Sequence, residues 1–200
     1  MSKLKARRKT GQLAFNDLLF NVLVGFVMLF VIAFLLINPI TKKNDVPSKA
    51  EYLIILEWDD EVPDDVDLWV QRDRDRPTGF SNKVNAPVHL DRDDLGHSND
   101  RVVIDGRTRI IYSNIETTTI RGNAQGDYYV AVHFYSQKTQ EVNYSVTVMK
   151  VNPFKQVYSI PGVLTRSREI QRLPAFSVDK DGNVVEVFNH GRDVVARGGG

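Results

Sequence analysis

The chain has 200 residues, a formal net charge of +1 and no cysteine. A near-neutral balance argues against nucleic-acid binding, which needs a basic stripe along the fold. Without cysteine there is no disulfide framework, no thiol catalysis and no cysteine-based zinc site.

Lys3, Lys5, Arg7, Arg8 and Lys9 crowd the start of the chain with no acid among them, so residues 1–12 read as a basic cytoplasmic tail. From Leu18 to Ile37 every residue is apolar or glycine except Asn21. Such a run matches the roughly 20 residues a helix needs to cross a hydrocarbon core of about 30 Å. Segment 13–38 is therefore expected to be a transmembrane helix. Only Lys42 and Lys43 follow, with Asp45 close behind. The positive-inside rule then predicts a single-pass protein of the inner (cytoplasmic) membrane, its N-terminus cytoplasmic and its C-terminal domain periplasmic. A signal peptide also begins basic and then apolar, but its apolar core is about 7–15 residues long and ends at a small-x-small cleavage site. Here the core is longer and ends in Ile37-Asn38-Pro39-Ile40-Thr41. The segment reads as an uncleaved anchor.

A polar linker over 39–50, able to reach about 40 Å if extended, leads to a domain over 51–190. Tyr52 to Trp58 is a short, nearly continuous apolar run, as in a buried strand, and Val66 to Val70 alternates. Tyr128 to Tyr135 follows a Gly-Asp turn. Val142 to Val151 carries Asn143, Ser145, Thr147 and Met149 on its opposite face. Ala175 to Val178 and Val184 to Phe188 flank Asp179-Lys180-Asp181-Gly182-Asn183, where Gly182 supplies the positive φ of a tight hairpin. Short strands between turns, with no amphipathic helix, predict an antiparallel β-sandwich. Residues 191–200 read as a disordered tail. The fold class is thus one N-terminal transmembrane helix followed by an all-β domain.

Asp17 is the only carboxylate in the first 44 residues. Two readings compete. Asn16 or Asp17 can cap a helix that starts there. Alternatively the helix begins earlier, near Gly11, and places an ionisable group inside the bilayer boundary, where it marks a functional site. The neighbours favour the second. Asn21 lies four residues on, on the same helix face, and Gly25 a further turn along. Phe20, Phe26, Phe30 and Phe34 occupy the other faces. A single polar stripe on a membrane helix needs protein or water to face.

Ala14-Phe15-Asn16-Asp17-Leu18, followed by Val24-Gly25-Phe26-Val27-Met28-Leu29-Phe30, resembles the single transmembrane helix of MotB, and is similar to those of ExbD and TolR. The resemblance covers about the first 40 residues. It implies an ion-driven motor subunit, a dimer whose two helices stand inside a pentameric ring of a polytopic MotA-, ExbB- or TolQ-like partner. Asp17 would be the carboxylate that binds and releases a proton or sodium ion, with Asn21 beside it. The exported part departs from that family, since nothing in it resembles a peptidoglycan-binding domain or the small α/β domain of ExbD. Its target in the envelope is left open.

Glu57-Trp58-Asp59, Asp64-Asp65-Val66-Asp67-Leu68-Trp69-Val70, Asp91-Arg92-Asp93-Asp94-Leu95-Gly96 and Gly126-Asp127-Tyr128-Tyr129-Val130-Ala131-Val132 follow one another in the order seen in YfaP-type domains. That resemblance covers about residues 52–150 and implies a β-sandwich. Residues after Val151 add a hairpin to it. The acids suggest a Ca²⁺ site formed by Asp65, Asp67, Asp91 and Asp93, because Ca²⁺ takes six to eight oxygens, several from carboxylates on one loop. The alternative is that they are solvated turn acids paired with Arg72, Arg74, Arg76 and Arg92. Trp58 and Trp69 read as packing residues, and His133, alternating in a strand, as a surface or satisfied histidine rather than a ligand. Nucleophile elbow, phosphate loop and paired-His metal motif are all missing from the sequence, so the domain is not expected to be an enzyme. A second functional reading keeps the helix as a mere anchor and makes the sandwich a binding module.

Overall fold

The computed structural model describes residues 2–37 and 48–195, with side chains from residue 12 to 34 and from 48 onward. The chain divides into two units, a helix and a β domain.

The first unit is α1 (Ser2–Ile37). Within it Gln12–Phe34 is long and apolar enough to cross a membrane. A helix suits that medium because every backbone N–H and C=O finds its partner inside the segment. The basic residues expected to form a separate tail are helical from Ser2 onward. One helix therefore carries both the basic stretch and the apolar run. Phe20, Phe26, Phe30 and Phe34 are exposed along it, as are Asp17 and Asn21.

The second unit contains β1 (Ala50–Trp58), β2 (Asp65–Arg72), β3 (Val84–Asn85), β4 (Val88–Arg92), β5 (Arg101–Ile104), β6 (Arg107–Ile110), β7 (Ile115–Arg121), β8 (Gly126–Ser136), β9 (Val142–Lys150), β10 (Lys155–Leu164), β11 (Ile170–Val178) and β12 (Val184–Phe188). A six-stranded sheet in the order β10-β9-β1-β7-β4-β3 and a four-stranded sheet in the order β12-β11-β8-β2 form the sandwich. The hairpin β5–β6 is a two-stranded sheet of its own. All the strand pairings are antiparallel.

The core lies between the two large sheets and follows the period of two that strands impose. Tyr52, Ile54, Leu56 and Trp58 point inward from β1, meeting Val66, Leu68 and Val70 from β2 and Tyr128, Val130, Val132 and Phe134 from β8. Each such side chain contributes about 1.5–3 kcal/mol when fully buried. A second cluster of Trp69, Tyr129, Ala131, Ala175 and Val194, with Phe80 and Phe188 packed against it, covers the other face of the four-stranded sheet. Two-sided cover explains why β8 reads as a nearly unbroken apolar run rather than an alternating one.

Two expectations are amended. Residues 191–195 are not a disordered tail: Val194 is fully buried, and Arg192 lies over the Tyr129 ring, 3.7 Å from its centroid. Residues 196–200, and most of the expected linker, lie outside the described residues. The segment after Val151 contributes more than a hairpin, since β10 extends one sheet while β11 and β12 build the other. The expected turn is in place, with Gly182 at φ 74° and its carbonyl accepting from the Tyr52 hydroxyl at 2.8 Å.

Gly79 sits under the Trp69 indole, where an added Cβ would lie 2.6 Å from ring atoms. Gly79→Ala should therefore push Trp69 out of the outer cluster and destabilise the domain by about 1–3 kcal/mol. Denaturant unfolding followed by tryptophan fluorescence checks this, and an unchanged midpoint would refute it.

Candidate functional site

Two places hold carboxylates in unusual surroundings, one in each unit. In α1 the helical backbone is continuous from Ser2, so Asp17 is not at a helix N-terminus and cannot act as its cap. Asn21 follows one turn later on the same face. Of the two readings of Asp17, the capping one is thereby removed.

In the β domain the acids separate into those that hold turns and those that do not. Asp59 Oδ2 accepts from the Asn143 backbone N–H at 2.8 Å and its side-chain amide at 3.0 Å. Asp64, fully buried, accepts from the N–H groups of Lys138 and Thr139 and from the Thr139 hydroxyl. Both are structural latches. Asp91, expected in the Ca²⁺ set, is occupied elsewhere: it pairs with the Arg121 guanidinium and accepts from the Thr119 hydroxyl at 2.5 Å. Register explains the difference. Asp91 lies within β4, beside β7, whereas Asp93 and Asp94 lie beyond the end of β4, where Asp94 pairs with Arg92 and Asp93 meets Glu116.

What the fold brings together instead is Asp67, Asp93 and Glu116, with one carboxylate oxygen of each lying within 4.8 Å of the others. Glu116 was not a sequence candidate. It stands on β7 in register with Thr118 and Ile120 and so points inward, 1% exposed. Its Oε2 accepts from the Leu68 N–H of β2 at 2.7 Å. Because β2 is the outer strand of its sheet, that N–H has no strand to bond, and Glu116 supplies the acceptor from the facing sheet. The signal was present in the sequence. Thr117, Thr118 and Thr119 mark a β-branched strand, and Ile120 fixes which face Glu116 takes.

Asp67, 2% exposed, lies on the outer face of β2 opposite His133, whose Nδ1 is 3.0 Å from Asp67 Oδ2. His133 is thus a satisfied, buried histidine. Lys83 Nζ is 2.7 Å from Asp93 Oδ2. Asp65 is two residues along β2 from Asp67 and feels Asp67, Asp93 and Asp94. Burial, helped by those like charges, pushes the Asp65 carboxyl up to about 7, against a lowering from Arg168. Burial also raises Asp67, opposed first by the bond to His133, and holds Glu116 well above the usual carboxylate range. Trp58 and Trp69 are buried packing residues, 5% and 0% exposed.

No family model and no curated protein matches the chain. Among solved structures it is similar to the crystal structure of SAV2460, a protein of unknown function, at 15% identity and a TM-score of 0.45, over 72% of this chain and 92% of that one. A likeness of that degree carries no functional argument.

Replacing Glu116 separates its two roles. Glu116→Gln keeps an acceptor for the Leu68 N–H, and in chelator it should cost less than about 1 kcal/mol. Glu116→Leu strands that donor in the interior and should cost about 2–3 kcal/mol. Parallel urea titrations of the two variants test this; equal midpoints would contradict the bridging role.

Proposed function

We propose that the chain is the single-pass subunit of a proton- or sodium-driven membrane motor. Two copies stand inside a pentameric ring of a polytopic MotA-, ExbB- or TolQ-like partner and pass motion to the envelope through the β-sandwich. In this reading the helix lies in the inner membrane with its basic end in the cytoplasm, and the sandwich works on the far side. The observation that carries it is the place of Asp17 within unbroken helical backbone, one turn before Asn21. An acid needed only to start a helix would stand at its beginning. One placed a turn from an amide, on a helix otherwise clothed in Leu, Val, Ile and Phe, needs a protein surface to face.

The mechanism follows from the electrostatics of a carboxylate in a membrane. Turning Asp17 between an apolar wall and a water-filled half-channel alternately changes its affinity for the ion. Neutralised, it can pass the apolar wall; charged, it is held where water reaches it. One elementary charge moved through 100 mV releases roughly 2.3 kcal/mol, enough to bias a step of rotation. Asn21 offers an amide oxygen beside the carboxylate for the bound ion or for a partner's donor. In this reading the sandwich is the element that reads out the motion, on a target left open.

Asp17→Asn is the discriminating change, because an amide of the same shape cannot carry a proton. In the complex purified with its partner and reconstituted into liposomes, Asp17→Asn should abolish ion flux to background while leaving assembly intact. Flux retained by the variant would refute the motor reading.

A further inference from the structure

We propose that Asp67, Asp93 and Glu116, with Asp65 beside them, form a binding site for a divalent cation, Ca²⁺ being the ion their chemistry fits best. The site stands independently of the motor reading.

The three carboxylates share a pattern that an ordinary acidic surface lacks. Each is fixed through one oxygen: Asp67 Oδ2 on His133, Asp93 Oδ2 on Lys83, and Glu116 Oε2 on the Leu68 N–H. Fixed ligands of this kind, oriented by bonds through their other atoms, characterise metal sites. The oxygens turned the other way are the ones left over. Asp93 Oδ1 and Glu116 Oε1 are buried with no hydrogen-bond partner, and so is Asp65 Oδ1. Glu116 belongs to a side chain that is 1% exposed. Buried acceptors without partners are costly, at about 1–3 kcal/mol each and more when charged. A fold that gathers several in one place calls for a cation or a proton between them.

The choice of ion follows from ligand type and span. All the free ligand atoms are carboxylate oxygens, the hard donors that Ca²⁺ and Mg²⁺ take and that softer metals do not require. A Ca²⁺ shell with bonds of about 2.3–2.6 Å accepts oxygens up to about 5 Å apart, which the 4.8 Å limit on the cluster meets. Mg²⁺ demands about 2.0–2.1 Å and a stricter octahedron. Asp93, whose side chain is 14% exposed, gives the ion and its remaining waters a way in. Lys83 and His133 stay on the outer oxygens and need not leave.

The proposal also assigns a task to the inward Glu116. A cation there would tie β2, β7 and the loop after β4 together, at the edge where the two sheets meet.

The test uses the full-length chain in detergent micelles. Tb³⁺ added to the chelator-treated protein should give luminescence on excitation of tryptophan, and Ca²⁺ should displace it. At a hundredfold excess over its dissociation constant, Ca²⁺ should raise the melting temperature by about 5–10 °C relative to EGTA. Asp93→Asn and Glu116→Gln should each weaken Ca²⁺ at least about tenfold, whereas Asp91→Asn should leave it unchanged. If Glu116→Gln does not fold, Asp93→Asn decides alone, since Asp93 lies on a loop and pairs there with the exposed Lys83. The absence of both luminescence and a melting shift would overturn the site, leaving a proton shared between Asp93 and Glu116 as the filler. Ca²⁺ binding undiminished in Asp93→Asn, or lost in Asp91→Asn, would overturn the ligand set.

Discussion

The bond from the Leu68 N–H to Glu116 is the interaction around which the acidic cluster of the β domain is arranged. An outer strand leaves a row of backbone groups without partners, and a fold must cover, charge or pair them. Further along β2 the problem is solved by backbone, where Val70 exchanges hydrogen bonds with Thr78 at 3.0 and 2.8 Å. At Leu68 it is solved by a carboxylate reaching across from the other sheet. That solution brings an ionisable carboxyl into a dry interior, where burial holds it well above the usual carboxylate range, and acids and bases gather around it. His133 and Lys83 pair with the neighbouring acids, yet several carboxylate oxygens remain unanswered. The cation site proposed above is the natural completion of that arrangement.

In the proposed motor the helix poses the same physical question in a different solvent. A carboxylate removed from water is costly unless a counter-charge, donors or a proton accompany it. In the sandwich the compensating groups lie in the same chain. Along Gln12–Phe34, among the described residues, Asp17 has only Asn21 on its own face for a polar neighbour. This contrast is why a multi-pass partner enters the account: the chain supplies the acid and not its surroundings.

Much of the fold was legible because its determinants are local. The length and purity of the run from Leu18 to Ile37 mark the helix, and the apolar run from Tyr52 and the alternation around Val66 and Val142 give β1, β2 and β9 directly. Strands whose sequence mixes signals were harder to see. β10 contains Pro161 and Gly162, which argue against a strand until its place at the edge of a sheet is known. β7 is β-branched through its three threonines, but Glu116 at an inward position breaks the apolar alternation. The acidic site was half legible for a related reason. Asp65, Asp67 and Asp93 were candidates by composition, but which acids converge depends on which way each turns out of its strand. That separates Asp91, paired with Arg121, from Asp93, and it brings in Glu116 from the distant strand β7. Long-range register is not written in local spacing.

The reading of the chain as a motor subunit is tested most directly by the mass of the complex it forms in native membranes. Full-length protein should be captured in mild detergent and the intact assembly weighed. The account predicts a multi-pass partner in a pentameric ring around two copies of this chain. Recovery of the chain alone, or only with soluble or envelope proteins, would contradict it and leave α1 as a tether for the sandwich.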